Sequence, residues 1–159
     1  MKLSVVIPFY NEENMIQKMY DELVKEINQI TKAEFEIIFI NDGSKDRTFE
    51  KMRAIAAGDS RVKYISFSRN FGKEAGTIAG LEYATGEAVI LMDGDLQHPP
   101  ALLPQMIKAY EEGYDVVSAR RTRTGEKPHR TFLAKHFYRL ANKMMDIELM
   151  DGVSEFRLF

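Results

Sequence analysis

The chain has 159 residues, of which 45% are hydrophobic, so it can bury one sizeable core without requiring a second domain. It contains no cysteine, which excludes disulfides and thiolate metal sites and agrees with a reducing compartment. The first apolar run is too short for a signal peptide, and no stretch approaches the roughly 18 apolar residues of a membrane span. We therefore expect a soluble or peripheral chain.

Charge is unevenly distributed, although the formal net charge is only -2. Between Arg120 and Lys143 there are eight Lys or Arg residues and a single acid, Glu126. This asymmetry indicates a face that meets anions, such as phosphates, anionic lipid or nucleic acid. A basic helix face exposed to solvent is the alternative interpretation.

Hydrophobic periodicity predicts strands that alternate with helices. Apolar runs predict strands over residues 3–9, 35–40, 62–68, 88–92 and 114–119. After a turn at residues 11–13, helical spacing through residue 30 predicts a first helix of about five turns. Three more helices are predicted over residues 47–57 (capped by Ser44 or Asp46), 74–84 (ended by Gly86) and 100–110 (ended by Gly113). A last helix is predicted over 131–145, and residues 155–159 look like the start of a strand.

This alternation predicts an α/β single domain with a mostly parallel sheet and helices on both of its faces. The carboxyl ends of parallel strands lie at the same edge of a sheet, where ligands bind in such folds. Four predicted loops, at residues 8–12, 41–46, 69–73 and 93–99, should therefore converge there. Polar residues far apart in sequence can then form one site.

Two carboxylates follow the fourth predicted strand, in the sequence EAVILMDGDLQHPP. Asp93 and Asp95 are separated only by Gly94, which leaves room for a phosphate or backbone to approach. Because two such close carboxylates repel each other, a divalent cation between them would explain why both stay ionised, and their hard oxygens favour Mg²⁺ or Mn²⁺. An acidic turn without a ligand is the alternative.

The first two loops supply groups suited to a nucleotide. Pro8, Tyr10, Glu12 and Asp42 combine a ring that can stack on a base with carboxylates that can accept hydrogen bonds from an imide or a ribose. Neither GxGxxG after the first strand nor GK[ST] is present, so a glycine-rich phosphate loop is excluded. A diphosphate would instead be held through a metal at Asp93 and Asp95.

Four segments carry a family resemblance: VVIPFYNEE, NDGSKDRT, SRNFGKEAGTIAGLEYATGEAVILMDGDLQHPP and EFRLF. With them the chain resembles the family 2 glycosyltransferases of GT-A fold, in particular the polyprenyl-phosphate branch, which includes dolichol-phosphate mannose synthases and bactoprenol glucosyltransferases. The resemblance implies inverting transfer of a hexose from a UDP-sugar or GDP-sugar to a polyprenyl phosphate at the cytoplasmic face of the membrane. Relatives carry C-terminal transmembrane helices, so we expect residues 1–159 to be a catalytic domain truncated before them.

The resemblance also implies roles for individual residues. Metal would be held by Asp95, with Asp93 nearer the sugar or ribose, and Glu155 stands where bacterial relatives commonly have an Asp as proposed catalytic base. Arg120 would lie near phosphate and Gln97 beside the donor; Arg123 and Arg130 are further candidates for binding phosphate. The nucleotide contacts would fall on Pro8, Tyr10, Glu12, Ile40, Asp42, Asp93, Gly94, Asp95, Gln97 and Arg120.

Several alternatives remain open at this point. The same fold could transfer the sugar to a saccharide or polyol hydroxyl, which would require Glu155 to act as a true base, or it could bind a nucleotide-sugar without turnover. A strand ending in DGD also occurs in haloacid-dehalogenase-type phosphatases. In that class the motif normally lies near the N-terminus and a Thr follows it, whereas Leu96 and Gln97 follow it here. The predicted last helix could lie on an anionic membrane surface or pack in the core. We expect no nucleic-acid partner and leave homo-oligomerisation open.

Overall fold

The computed structural model describes residues 1–120 and 153–159. Six strands form one sheet in the order β3-β2-β1-β4-β6-β5. The strands are β1 (Lys2–Phe9), β2 (Glu34–Asn41), β3 (Val62–Ser66), β4 (Ala88–Leu91), β5 (Val117–Arg120) and β6 (Val153–Leu158). The helices are α1 (Ile16–Ile27), α2 (Thr48–Gly58), α3 (Lys73–Tyr83) and α4 (Leu103–Glu111), the last preceded by a 3-10 turn at Pro100–Leu102.

The prediction of a mostly parallel α/β sheet is confirmed. β1 pairs in parallel with both β2 and β4, and β2 pairs in parallel with β3. β6 is the exception, since it runs antiparallel between β4 and β5. A strand near residue 155 was predicted, but its place and direction were not, because both depend on a partner distant in sequence.

Helices cover both faces of the sheet, as the continuous burial of residues 3–7 in β1 requires, because successive side chains of a strand point to opposite faces. On one face Leu3, Val5 and Ile7 belong to the main core, which also includes buried residues of α1, α2 and α4. On the other face α3 approaches Val6 so closely that a Cβ on Gly80 would lie 2.2 Å from Val6 Cγ1. The small residues predicted to let this helix lie near the sheet therefore do so.

Several predicted boundaries were wrong by a few residues. α1 ends at Ile27 and not at residue 30, and β3 ends at Ser66 and not at residue 68.

The later elements begin or end a few residues from their predicted positions. The fourth helix, predicted from residue 100, is α-helical only from Leu103, where Pro104 lies in the first turn and suits a helix start. β5 begins at Val117, whereas the preceding Tyr114 is exposed. α3 ends at Tyr83, and Gly86 instead permits close contact with Ser4 of β1.

The predicted last helix, over residues 131–145, lies outside the described residues, as do Arg123 and Arg130. Within residues 1–120 and 153–159, none of the helices has the length and apolar character needed to cross a bilayer.

Candidate active site

Hydrogen bonds between side chains and backbone connect the loop that follows β1 with the loop that follows β2. The N–H of Asn11, a residue in the left-handed region at φ 54°, donates to Ser44 Oγ at 3.0 Å. The Asp46 carboxylate accepts the N–H groups of Glu13, at 3.1 Å, and of Thr48, at 3.0 Å. Burial alone would raise the pKa of Asp46, but its hydrogen bonds lower it. Of the two predicted caps, Asp46 therefore contacts the first turn of α2, whereas Ser44 holds the neighbouring loop.

A cavity of about 330 Å³ lies at the carboxyl edge of the sheet, where the four loops meet. This volume is in the range of small-molecule sites. Tyr10 is 42% exposed, so its ring is accessible to a ligand. The cavity is lined by Pro8, Phe9, Tyr10, Glu12, Asp42, Asn70, Gly72, Lys73, Asp93, Gly94 and Asp95.

Because Gly94 has no side chain, the loop that carries Asp93 and Asp95 can pack directly against the hydrophobic core. A Cβ at this position would lie 2.3 Å from Cε1 of Phe9, a buried ring that packs edge-on against Phe39 at 5.3 Å. Asp95 Oδ1 accepts the N–H of Gln97 at 3.0 Å, across Leu96, which adopts the left-handed φ of 57°. This conformation is uncommon for a bulky side chain, and such backbone outliers cluster at functional sites.

Asp42 organises the loop before α3. The carboxylate is buried, and it accepts the N–H of Phe71 at 2.7 Å and that of Gly72 at 3.0 Å. The adjacent Gly43, at φ 65°, allows the backbone of Arg69 to lie against it. Asp42 therefore shapes the cavity wall, and each oxygen keeps a second lone pair with which it can accept a hydrogen bond from a ligand.

Lys73 joins two carboxylates that the sequence interpretation treated separately. Its ammonium group forms ion pairs with Asp93 Oδ1 and with Glu155 Oε2. The antiparallel register pairs Leu91 with Arg157, and continuing it by two residues sets Asp93 opposite Glu155. Burial alone would lower the pKa of Lys73, but its hydrogen bonds with the two carboxylates outweigh that effect and raise the pKa.

The importance of Lys73 was missed at the sequence level. The residue stands in the conspicuous segment RNFGKEAG, but its partners come from the end of β4 and from β6. Only the position of β6 beside β4 makes the contact possible. The signal available in the sequence was a lysine at the start of a helix that opens onto the predicted ligand edge.

A second cavity, of about 300 Å³, adjoins the first. The two share Pro8, Lys73 and Asp93 in their linings. The rest of the second lining consists of Glu74, Thr77, Ile78, Leu91, Met92, Glu155 and Arg157. Lys73 and Asp93 therefore stand at the boundary between the two spaces.

Three residues predicted to contact the nucleotide lie in neither cavity lining. Ile40 is fully buried under α3, because its position in β2 points its side chain into the smaller core cluster. Gln97 is exposed, and its N–H is the group that binds Asp95. Arg120 is exposed at the end of β5, and β6 separates that strand from β4.

Asp93 and Asp95 fit a cation that is shared with a diphosphate, and not one enclosed by protein alone. Across residues 1–120 and 153–159, no group of three or more His, Cys, Asp and Glu side chains is arranged to hold a metal. Mg²⁺ commonly uses one or two carboxylates together with phosphate and water oxygens, so a pair of aspartates suffices. Their hard oxygen donors also suit Mn²⁺.

The sheet order and the ligand cavity at its carboxyl edge define an α/β fold of the GT-A glycosyltransferase type. The family description "Glycosyl transferase family 2" matches residues 4–159, and the chain belongs to this family. The resemblance inferred from the motifs is therefore confirmed.

Relatives known by name agree with this assignment. The chain is 51% identical over 156 residues, 98% of its length and 47% of the relative, to CsbB of Bacillus subtilis (strain 168), whose name assigns it provisionally to the glycosyltransferases. It is 42% identical over 159 residues, 99% of its length and 52% of the relative, to the bactoprenol glucosyl transferase of Shigella phage SfX. The chain thus spans about half the length of these curated relatives.

Solved structures share the fold. TarS of S. aureus in complex with UDP superposes with a TM-score of 0.61 at 25% identity, covering 80% of this chain and 38% of that one. The mannosyltransferase PcManGT of Pyrobaculum calidifontis, solved with GDP-Man and Mn2+, gives a TM-score of 0.63 at 24% identity, covering 77% of this chain and 36% of that one.

Proposed function

We propose that the protein is an inverting glycosyltransferase that moves a hexose from a nucleotide-diphosphate sugar to a polyprenyl phosphate. UDP-sugars are the favoured donors, and GDP-mannose is the second donor to test. One observation carries the proposal: Tyr10 and Asp42 share a cavity of about 330 Å³ with Asp93 and Asp95. A base-stacking ring and a pair of carboxylates are the two kinds of group that a nucleoside diphosphate with its cation requires.

The donor would lie along the carboxyl edge of the sheet. Tyr10 would stack on the base, while Glu12 and Asp42 would accept hydrogen bonds from the base or ribose. Asp95 and Asp93 would hold Mg²⁺ or Mn²⁺, which when bound neutralises the charge of the diphosphate leaving group. The loop contacts through Asp46 and Asp42 keep these groups in place before the donor arrives, which favours a preorganised site.

In the reaction, an oxygen of the acceptor phosphate would attack the anomeric carbon as the bond from that carbon to the diphosphate oxygen breaks. The products are a polyprenyl glycosyl phosphate and the nucleoside diphosphate. A phosphate monoester has a second pKa near 6, so the acceptor is largely dianionic at neutral pH and needs little deprotonation. Glu155 would therefore act less as a base than as the partner that holds Lys73 in the site. Arg120, which lies outside the two cavities, remains a candidate for binding the acceptor phosphate.

The acceptor proposal draws support from the relative named bactoprenol glucosyl transferase, which is 42% identical to this chain. Such an acceptor places the reaction at the cytoplasmic face of the membrane. The basic segment that begins at Arg120 supports contact with an anionic surface, because cationic side chains are attracted to anionic lipid headgroups.

Calorimetry with UDP-glucose and GDP-mannose, each with and without Mn²⁺, tests donor binding. We expect binding to depend on Mn²⁺, and Asp95→Ala to weaken it by roughly 100-fold or more, because loss of a direct metal ligand should cost at least as much as loss of a supporting group. Asp115→Ala, at an exposed aspartate before β5, is the matched control and should bind normally. Unchanged donor binding by Asp95→Ala would contradict the metal site.

Mass spectrometry of the lipid product tests the acceptor. Protein incubated with a short polyprenyl phosphate and a panel of nucleotide-sugars should produce a lipid whose mass increases by one hexose. If product forms only on saccharide or polyol hydroxyls, the proposed acceptor is wrong and the proposed donor site stands. Donor binding without any transfer would favour a nucleotide-sugar binding module.

A further inference from the structure

Lys73 binds a carboxylate that the proposed cation would also use. Its ammonium group forms an ion pair with Asp93 Oδ1, and Asp93 lies with Asp95 in the wall of the nucleotide cavity. A carboxylate has two oxygens, but an ammonium group and a divalent cation on the same carboxylate lie close together and repel each other. Binding of the cation at Asp93 is therefore easier when Lys73 moves away.

The helix itself gives no reason for a lysine at this position. Lys73 is the first residue of α3, where the partial positive charge of the helix end disfavours a cation. The next residue, Glu74, has the charge that suits the first turn. The ion pairs of Lys73 compensate for its unfavourable position, and a residue that departs from a local preference in this way is a candidate for a functional role.

Glu155 gives Lys73 a second partner. The ammonium group also forms an ion pair with Glu155 Oε2, on β6, and Glu155 is not part of the lining of the nucleotide cavity. Lys73 can therefore leave Asp93 and stay paired with Glu155. All three side chains are partly exposed, and ion pairs of this kind are weak enough to exchange partners.

The charges of these side chains also match such an exchange. Asp93, Asp95 and Glu155 contribute three negative charges and Lys73 one positive charge, which leaves two negative charges for a divalent cation to neutralise. A nucleoside diphosphate would add phosphate oxygens around the cation. It would also bring negative charge near Lys73, which lines both cavities. The cation and the nucleotide should therefore favour each other's binding.

We propose that Lys73 competes with the divalent cation for Asp93 and so makes binding of the cation depend on the nucleotide. The inference rests on the proposed function, because the diphosphate completes the set of oxygens around the cation. A cation without nucleotide has to displace the ammonium group and gains only the two aspartates as protein ligands. A cation that arrives with a nucleoside diphosphate also gains phosphate oxygens, while Lys73 keeps Glu155 as its partner.

Titration of Mn²⁺ without nucleotide, followed by the electron paramagnetic resonance signal of the free ion, tests the competition directly. Lys73→Met should bind Mn²⁺ roughly 5- to 20-fold more tightly than the wild type. Loss of a partly exposed ion pair accounts for up to about fivefold, and removal of a positive charge beside the cation accounts for the rest. Lys73→Arg keeps the charge and should stay within about threefold of the wild type.

Two matched controls remove a cation elsewhere. Lys45→Met changes an exposed residue in a loop at the same edge of the sheet, and Lys108→Met changes the exposed surface of α4. Neither should alter the affinity for Mn²⁺.

Calorimetry of UDP and of GDP, each with and without Mn²⁺, measures the dependence on nucleotide. Because the coupling between two ligands is reciprocal, the factor by which Mn²⁺ tightens nucleotide binding reports the same competition. This factor should be at least about threefold smaller in Lys73→Met than in the wild type, since Mn²⁺ without nucleotide no longer has a competitor. Binding of Mn²⁺ to the nucleotide in solution is the same for both proteins and cancels in this comparison.

Glu155→Gln gives a second, independent measurement. It removes the ion pair that Lys73 would keep after leaving Asp93, so Mn²⁺ without nucleotide should bind roughly threefold more weakly. In a Lys73→Met background the same substitution should have a smaller effect, because no lysine remains to be displaced. Equal losses in the two backgrounds would contradict the exchange and show that Glu155 acts through its own charge.

Two further results would overturn the inference. The first is Lys73→Met that binds Mn²⁺ without nucleotide no more tightly than the wild type, which includes no detectable binding by either protein. The second is Lys45→Met that tightens binding as much as Lys73→Met, because any nearby cation would then have the same effect. Wild-type protein that binds neither UDP nor GDP, with or without Mn²⁺, would overturn the proposed function itself. The titration without nucleotide would still measure the competition at Asp93, so the two failures are distinguishable.

Discussion

The two ends of the parallel sheet each hold a carboxylate cluster, but the clusters are built differently. At the amino edge, Glu36 is 4% exposed and accepts hydrogen bonds from Ser4, Thr85 and Lys63. At the carboxyl edge, Asp93 and Glu155 share one lysine, Lys73, and their side chains are 23% and 62% exposed. The first cluster is saturated by protein groups, whereas the second is open to solvent and to cavities.

This difference indicates what each cluster does. Burial alone would raise the pKa of Glu36, but hydrogen bonds from Lys63, Ser4 and Thr85 lower it to about 2. A carboxylate so fully paired stabilises the fold and has little capacity left for a ligand. The partly exposed carboxylates at the other edge contribute little to stability and can form new bonds. The number of protein groups that bind each carboxylate therefore distinguishes a structural cluster from a candidate functional one.

Breaking the amino-edge cluster should have the largest effect on stability. Glu36→Gln keeps the shape of the side chain but removes its charge, leaving the hydrogen bonds from Ser4 and Thr85 weakened and Lys63 without its ion pair. We expect the free energy of unfolding to fall by about 3 kcal/mol, measured by urea denaturation. Glu50→Gln, which loses an exposed pair with Arg47, is the control and should be indistinguishable from the wild type. A comparable loss of unfolding free energy in Glu36→Gln and Glu50→Gln would show that the buried cluster around Glu36 is no more stabilising than an exposed ion pair.

The same contrast marks what the sequence could predict. The apolar runs predicted β1 to β4, and because the carboxyl ends of parallel strands lie at one edge, the sequence also predicted that Tyr10, Asp42 and Asp95 lie close together. The Glu36 and Lys73 contacts could not be predicted, because each depends on the register or order of strands distant in sequence. Glu36 lies inside the strand predicted over residues 35–40, and its partners on β1 and β3 follow only from the strand pairing. Glu155 lies near Asp93 only because β6 inserts beside β4. The sequence also did not show that the Ile40 side chain would face the smaller core cluster and not the cavity, because both faces of β2 carry apolar residues.

Acid titration should reveal the Glu36 cluster without any substitution. Its pKa is near 2 in the folded protein and near 4.5 when unfolded, so the unfolded state binds the proton first as the pH falls. The stabilisation is therefore complete above about pH 5 and is lost progressively towards pH 2, by roughly 2–3 kcal/mol. Urea denaturation of the wild type and Glu36→Gln across this range measures the effect. Parallel curves for the two proteins would show that other groups cause the acid sensitivity.

At the carboxyl edge, geometry should matter more than charge for stability. Gly94→Ala places a methyl group 2.3 Å from the Phe9 ring, which is buried and cannot easily move. We expect a loss of about 2 kcal/mol in unfolding free energy, together with weaker Mn²⁺-dependent donor binding because the flanking aspartates shift. Gly58→Ala, where a methyl would meet nothing within 4 Å, is the matched control and should be neutral or slightly stabilising. Normal stability of Gly94→Ala would mean that the loop can relax.

Removing Lys73 should have the smallest effect on stability. This result would show most directly that the partly exposed carboxylates at the carboxyl edge, unlike Glu36, do not stabilise the fold. Lys73→Met leaves Asp93 and Glu155 facing each other, but both are partly solvated, so we expect a loss below about 1 kcal/mol. Because the cost is repulsion between exposed carboxylates, raising NaCl from about 0.05 to 0.5 M should recover most of it by screening. Urea midpoints at both salt concentrations, with Lys108→Met as control, measure this. A salt-independent loss above about 2 kcal/mol would make Lys73 a structural residue like those around Glu36.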